Sequence, residues 1–145
     1  MGERTIPQSR SVRYLGVLID SNLSWTSQVD QILAKMATHC FVLWQLRNRV
    51  DLNLLLQYYF AYVHSTLGYA TLAWGHCARV GEVFMQQKKL LRTMLGKPRT
   101  FFCKEAFREL RILTLPSLYI FKCPNSVKSE PAFLVRHVTS MTFII

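Results

Sequence analysis

The chain has 145 residues, and half of it is hydrophobic, with 9 Phe, 6 Tyr and 3 Trp. That length suits one domain with a core of its own, and the aromatic content excludes a wholly disordered chain. Eighteen Lys and Arg against 8 Asp and Glu give a net charge of +10, which points to a polyanionic partner, either nucleic acid or an anionic membrane surface.

Residues 1–10 (MGERTIPQSR) are polar, contain Pro7 and read as a loose lead-in. They have no apolar core of a signal peptide, so the expected setting is intracellular, cytoplasm or nucleus. Ser11 to Asp20 is rich in β-branched and aromatic residues, with Leu15, Val17 and Ile19 alternating on one face. It reads as one strand, and Val12, Tyr14 and Leu18 on the other face imply burial on both sides.

After Asp20-Ser21-Asn22 the period changes. Val29, Ile32, Leu33, Met36, Cys40 and Leu43 follow the spacing of an amphipathic helix, expected over Ser27 to Arg49. Arg47 and Arg49 then suit its carbonyl end. Asp51 is a candidate N-cap for a second helix through Leu55, Tyr58, Tyr59, Tyr62 and Val63, with Gly68 or Gly75 bending or ending it. A third helix is expected from Gly81 to Leu95, stopped by Gly96 with Pro98 beyond. Lys104 to Leu110 makes a shorter one. Thr114 caps another, with Pro116 at an early position where its missing N–H costs little. The fold class is therefore mainly α: a short N-terminal β element followed by a bundle of about four to five helices.

The uncharged stretch from Leu52 to Ala78 raises a second possibility, a small membrane protein with a single span near Leu52 to Trp74. Against it, Asn53, Gln57, His64, Ser65, Thr66, Thr71 and His76 would enter lipid without partners, which makes a membrane partner the poorer expectation.

Chemistry-bearing residues are sparse. Cys40, Cys77, Cys103 and Cys123 form no Cys-x-x-Cys, so neither a structural zinc site nor a disulfide framework is indicated. Asp20, Asp30 and Asp51 are isolated, and no phosphate-cradling Gly-rich loop or nucleophile elbow is present. No catalytic residue and no metal ligand is assigned, and His64-Ser65 reads as a structural pair within a helix.

The charge is unevenly placed. Residues 1–78 carry six bases and four acids, whereas residues 79–145 carry twelve bases and four acids, a net of +8. Lys88, Lys89 and Arg92 fall within about one helical turn. Lys97 and Arg99 follow, beside Phe101 and Phe102, which suit either stacking on bases or the core. Bases interleaved with aromatics fit a phosphate backbone, while a merely solvated helix face remains the alternative.

An ordered series of short motifs runs through the chain: Tyr14-Leu15-Gly16-Val17 with Asp20, Leu23-Ser24-Trp25, His64-Ser65, Gly68-Tyr69, Trp74-Gly75, Gln87-Lys88, Leu91-Arg92, Gly96, and Cys103 through Ile112-Leu113-Thr114-Leu115 to Ser117-Leu118-Tyr119. Over about Val12 to Lys122 this resembles the region just downstream of the polymerase palm in jockey-like non-LTR retrotransposon reverse transcriptases, which are RNA-directed DNA polymerases. The resemblance implies a palm-edge strand over 11–20, a helical thumb-like domain over 21–122 and a divergent tail over 123–145. It places Tyr14, Leu15 and Gly16 on the primer side of the palm edge. It makes Lys88, Lys89, Arg92, Lys97 and Arg99 candidates for contact with an RNA template–DNA primer duplex. The family's catalytic Tyr-x-Asp-Asp turn lies ahead of this region and is not in the sequence, so the resemblance implies a transposable-element fragment, inactive alone, with the palm as its missing partner and Mg2+ needed only by the intact parent. Gly68 and Ala70 stand where the family more often has Ser and Gly around Tyr69. A non-catalytic module repurposed to bind nucleic acid or protein is the alternative reading.

Overall fold

A computed structural model describes residues 10–123; the expected lead-in and tail otherwise lie outside these residues. The mainly helical class with an N-terminal β element is as expected, but residues 11–20 are two strands rather than one. Strand β1 (Ser11–Tyr14) pairs antiparallel with β2 (Val17–Asp20), with Tyr14 opposite Val17 and Ser11 opposite Asp20. Leu15 and Gly16 form the two-residue turn at φ 47° and 79°. Both angles are positive, as the turn matched to strand twist requires. Gly16 adopts this freely, whereas Leu15 does so at a cost. The expected two-sided burial is also corrected: β1 is exposed throughout, and Val17 is the buried residue of the hairpin.

Two side chains tie the hairpin to the helices. The Leu18 N–H donates to Oε1 of buried Gln28 at 2.9 Å, and the Tyr69 hydroxyl donates to the Leu15 carbonyl. Asp20 closes the following turn, accepting from the Ser24 hydroxyl and from the Trp25 N–H at 3.1 Å. The Ser24 bond holds its carboxyl below the usual range.

Helix α1 (Thr26–Leu46) buries Val29, Ile32, Met36 and Leu43, the stripe read from the sequence, and ends before Arg47. Helix α2 (Leu52–Tyr58) begins after Asp51, which has the extended backbone of an N-cap but no capping side-chain bond. It runs directly into a π-helical segment, Tyr59–His64, and then into α3 (Ser65–Gly68). The rod ends at Gly68, and Ala70 at φ 51° starts the single turn α4 (Thr71–Trp74). That break interrupts the long uncharged stretch. Among the described residues no helix is long and apolar enough to cross a membrane.

Helix α5 (Val80–Leu95) ends as expected on Gly96 at φ 64°, with the Lys97 N–H returning to the Arg92 carbonyl at 2.9 Å. Helices α6 (Cys103–Glu109) and α7 (Leu115–Lys122) follow. Thr114 Oγ1 accepts from the Ser117 N–H at 3.3 Å, and Pro116 sits in the first turn of α7.

Helices α1 and α5 are the central pair and run parallel. Arg79 at the start of α5 bonds Asp30 of α1 at 2.8 Å. Cys40 meets Thr93 at 3.4 Å, and a Cβ at Gly96 would lie 4.0 Å from Nη1 of Arg47. The rod of residues 52–68 runs back alongside α1, with His39 Nδ1 2.9 Å from the Tyr58 hydroxyl. The core gathers Val29, Met36, Leu43, Tyr59, Val63, Trp74, Leu90, Leu91 and Leu115. Gln87 brings a polar side chain to its centre. Gln87 Nε2 donates to the Tyr59 hydroxyl at 3.0 Å and to the Leu113 carbonyl at 2.9 Å. Its Oε1 accepts from the Leu115 N–H at 2.8 Å, so one amide joins α5, the π segment and the start of α7.

Candidate nucleic-acid interface

The five basic residues singled out by the sequence do not form one surface. Lys88 is buried, 8% exposed, with Nζ 4.4 Å from the centre of the Phe84 ring one turn before it. It therefore does not present a charge to a duplex, which corrects the expectation for this residue. The cause is helical geometry. Lys88 shares its face with Phe84 and Leu91 at spacings of four and three, and that face packs inward, while Lys89 lies about 100° further round and is exposed.

Arg92 is half-buried, and its Nε donates to the Phe101 carbonyl at 3.0 Å. It fastens the loop after α5 and keeps its remaining N–H groups for other acceptors. Lys97 is exposed, with Nζ 5.7 Å from the Phe101 ring centre, and Arg99 is exposed beside it. Phe101 packs partly against the core, whereas Phe102 is 79% exposed. The two aromatics thus divide between the roles open to them.

Arg47 and Arg49 join this end of the bundle, because the parallel course of α1 and α5 brings both C-termini together. Among the described residues the buried Nε of Arg47 has no hydrogen-bond partner. Among the described residues, carboxylates enter ion pairs only through Arg79, which bonds Asp30 and both oxygens of Glu82. Lys89, Lys97, Arg99 and Arg49 are therefore without acidic partners there. Part of their charge offsets the carbonyl ends of the two helices, and the rest is free to meet an external anion.

Tyr14, Leu15 and Gly16 lie at the opposite end, where the rod of residues 52–68 finishes. Tyr14 and Leu15 are 64% and 74% exposed, so the hairpin tip is presented outward. Tyr69 holds it from behind, its ring edge and hydroxyl each 3.9 Å from where a Gly16 Cβ would stand. Beside it opens a cleft of about 430 Å³ lined by His64, Ser65, Gly68, Tyr69, Ala70 and Lys122. Lys122 Nζ donates to the Gly68 carbonyl, and a Cβ at Gly68 would stand 3.0 Å from that ammonium. Burial first, and then the Lys122 charge, push the His64 pKa below its usual value. Sequence reasoning missed this grouping, because Lys122 lies 54 residues from Gly68 and no local spacing announces it.

The two ends are about 24 Å apart along the 16 residues of α5. Among the described residues no group of three or more His, Cys, Asp or Glu side chains converges to hold a metal ion. No family model, no curated protein and no solved structure matches the chain.

Proposed function

We propose that the chain acts as a thumb-type domain of a retrotransposon RNA-directed DNA polymerase, gripping the RNA template–DNA primer duplex through its phosphates and contributing no catalytic carboxylate. The observation that carries this reading is unpaired charge: Lys97, Arg99 and Arg49 at the end shared by α1 and α5, and Lys89 on the exposed face of α5, stand without carboxylate partners among the described residues. Arg92 supports it by fastening the loop that carries Lys97 and Arg99. The partner is an RNA–DNA duplex recognised by shape and backbone, because no base-reading motif accompanies the charge.

The test is fluorescence anisotropy on the full chain with a 14-base-pair hybrid. Replacing Lys89, Lys97 and Arg99 together by Ala weakens binding and makes the slope of log K against log salt shallower by about 2.7, some 0.9 per lost phosphate contact. Lys88→Ala leaves that slope unchanged. An unaltered slope in the triple variant refutes the reading.

One feature favours the alternative of a repurposed protein-binding module. Phe41 and Trp44 stack at 6.2 Å on the outer face of α1, 59% and 51% exposed. Under that reading Phe41→Ser with Trp44→Ser abolishes partner capture and leaves hybrid affinity intact.

A further inference from the structure

The geometry points to a second anion site: the cleft between His64 and Lys122 binds a phosphoryl group, which in a duplex complex is a backbone phosphate next to the hairpin tip. The nucleic-acid part rests on the function proposed above, while the phosphoryl site itself does not.

The cleft has the right donors and lacks the wrong acceptors. Lys122 carries three ammonium hydrogens and spends one on the Gly68 carbonyl, so two remain for an oxyanion. His64 touches the Phe60 ring at 5.7 Å and makes no hydrogen bond with any described residue, which leaves a ring N–H to donate. Among the described residues no carboxylate lines the cleft. The Ser65 hydroxyl is turned away, donating to the Ala61 carbonyl at 2.5 Å, and the Tyr69 hydroxyl is committed to Leu15. Anion recognition therefore rests on two side chains, one charged and one neutral.

The backbone around the cleft is irregular in three ways at once. The π segment ends on His64 and Ala70 holds φ 51°. Leu15, whose carbonyl Tyr69 grips, holds φ 47°. A π segment and two left-handed non-glycine residues each cost free energy, and such features persist where they place side chains for use. The π segment carries His64 at the end of the rod, Ala70 turns the chain so that Tyr69 faces the hairpin, and Tyr69, which lines the cleft, holds the tip of that hairpin.

The experiment has two arms, both on the full chain. In the first, inorganic phosphate is titrated at pH 7 while the His64 ring proton is followed by NMR, identified by its loss in His64→Gln. The expected result is a saturable shift that disappears in Lys122→Gln and returns in Lys122→Arg. No shift, or the same shift in Lys122→Gln, overturns the site. If Lys122 served only to hold Gly68, Lys122→Gln would lower the melting temperature and leave the phosphate response in place. In the second arm, Lys122→Gln reduces affinity for the 14-base-pair hybrid about tenfold and its salt slope by about one, as the loss of one phosphate contact requires. An unchanged slope rules out the backbone as the source of the phosphate. If the wild-type chain binds no hybrid at low salt, the proposed function falls, and the phosphate arm still decides the cleft.

Discussion

Replacing Gln87 by leucine removes a single amide from the centre of the molecule, and the structure sets the size of the effect. Gln87 is 1% exposed, and its amide makes three hydrogen bonds, to the Tyr59 hydroxyl, the Leu113 carbonyl and the Leu115 N–H. Leu113 is 39% exposed, so its carbonyl can turn to water. Tyr59 and Leu115 are each 1% exposed and cannot. Burial already pushes the Tyr59 hydroxyl pKa up to about 12, a measure of how poorly that pocket solvates charge. An orphaned buried donor or acceptor costs about 1–3 kcal/mol, and leucine recovers part of this by filling the space with apolar atoms. The net loss is about 3–4 kcal/mol. With a urea m-value of about 2 kcal/mol/M, the unfolding midpoint falls by about 1.5–2 M. Tyr59→Phe sharpens the test through a double-mutant cycle. Alone it costs about 1 kcal/mol by leaving the Gln87 amide short of an acceptor, whereas added to Gln87→Leu it restores stability by removing the orphaned hydroxyl. A loss below 1 kcal/mol for Gln87→Leu, or the same cost of Tyr59→Phe in both backgrounds, refutes the amide's role.

Ala70→Gly relieves the left-handed backbone at φ 51° and stabilises the chain by about 1 kcal/mol, read as a rise of about 3 °C in melting temperature. Tyr69→Phe removes the bond to the Leu15 carbonyl, so amide exchange accelerates in β1 and β2 while α1 and α5 keep their protection. Burial, the larger cause in each, holds the His39 and His64 pKa values below the usual 6.5, with Lys35 and Lys122 adding to it respectively. The unfolded chain then binds more protons below pH 6.5 than the folded one. Stability from these residues is full above that pH and is lost as pH falls through the depressed folded values. Melting temperatures at pH 7.5, 6 and 5 therefore decline in that order, and a rise on acidification contradicts the assignment.

What the sequence made legible is what regular periodicity and local capping control. The α1 stripe from Val29 to Leu43, the stop at Gly96 and the cap at Thr114 with Pro116 each depend on neighbours a few residues away. The hairpin was hidden because one of its two turn positions is Leu15, a residue that rarely takes positive φ, and alternation across ten residues reads as one strand. The π segment has no sequence period of its own, yet it changes which side chains the end of the rod presents. Lys88 misled for a different reason. Charge predicts exposure, but a long aliphatic stem over the Phe84 ring lets a lysine lie against an apolar face. The Lys122 cleft joins residues 54 apart in sequence, and the fold alone brings them together.

The central claim is that the unpaired charge at the ends of α1 and α5 serves a nucleic-acid backbone. Its most direct test is the affinity of the full chain for a 14-base-pair RNA–DNA hybrid between 50 and 300 mM salt. Four backbone contacts, from Lys89, Lys97, Arg99 and Arg49, with a fifth from Lys122 at the cleft, predict that log K falls linearly with log salt at a slope of about −4.5. An affinity that is independent of salt contradicts the account.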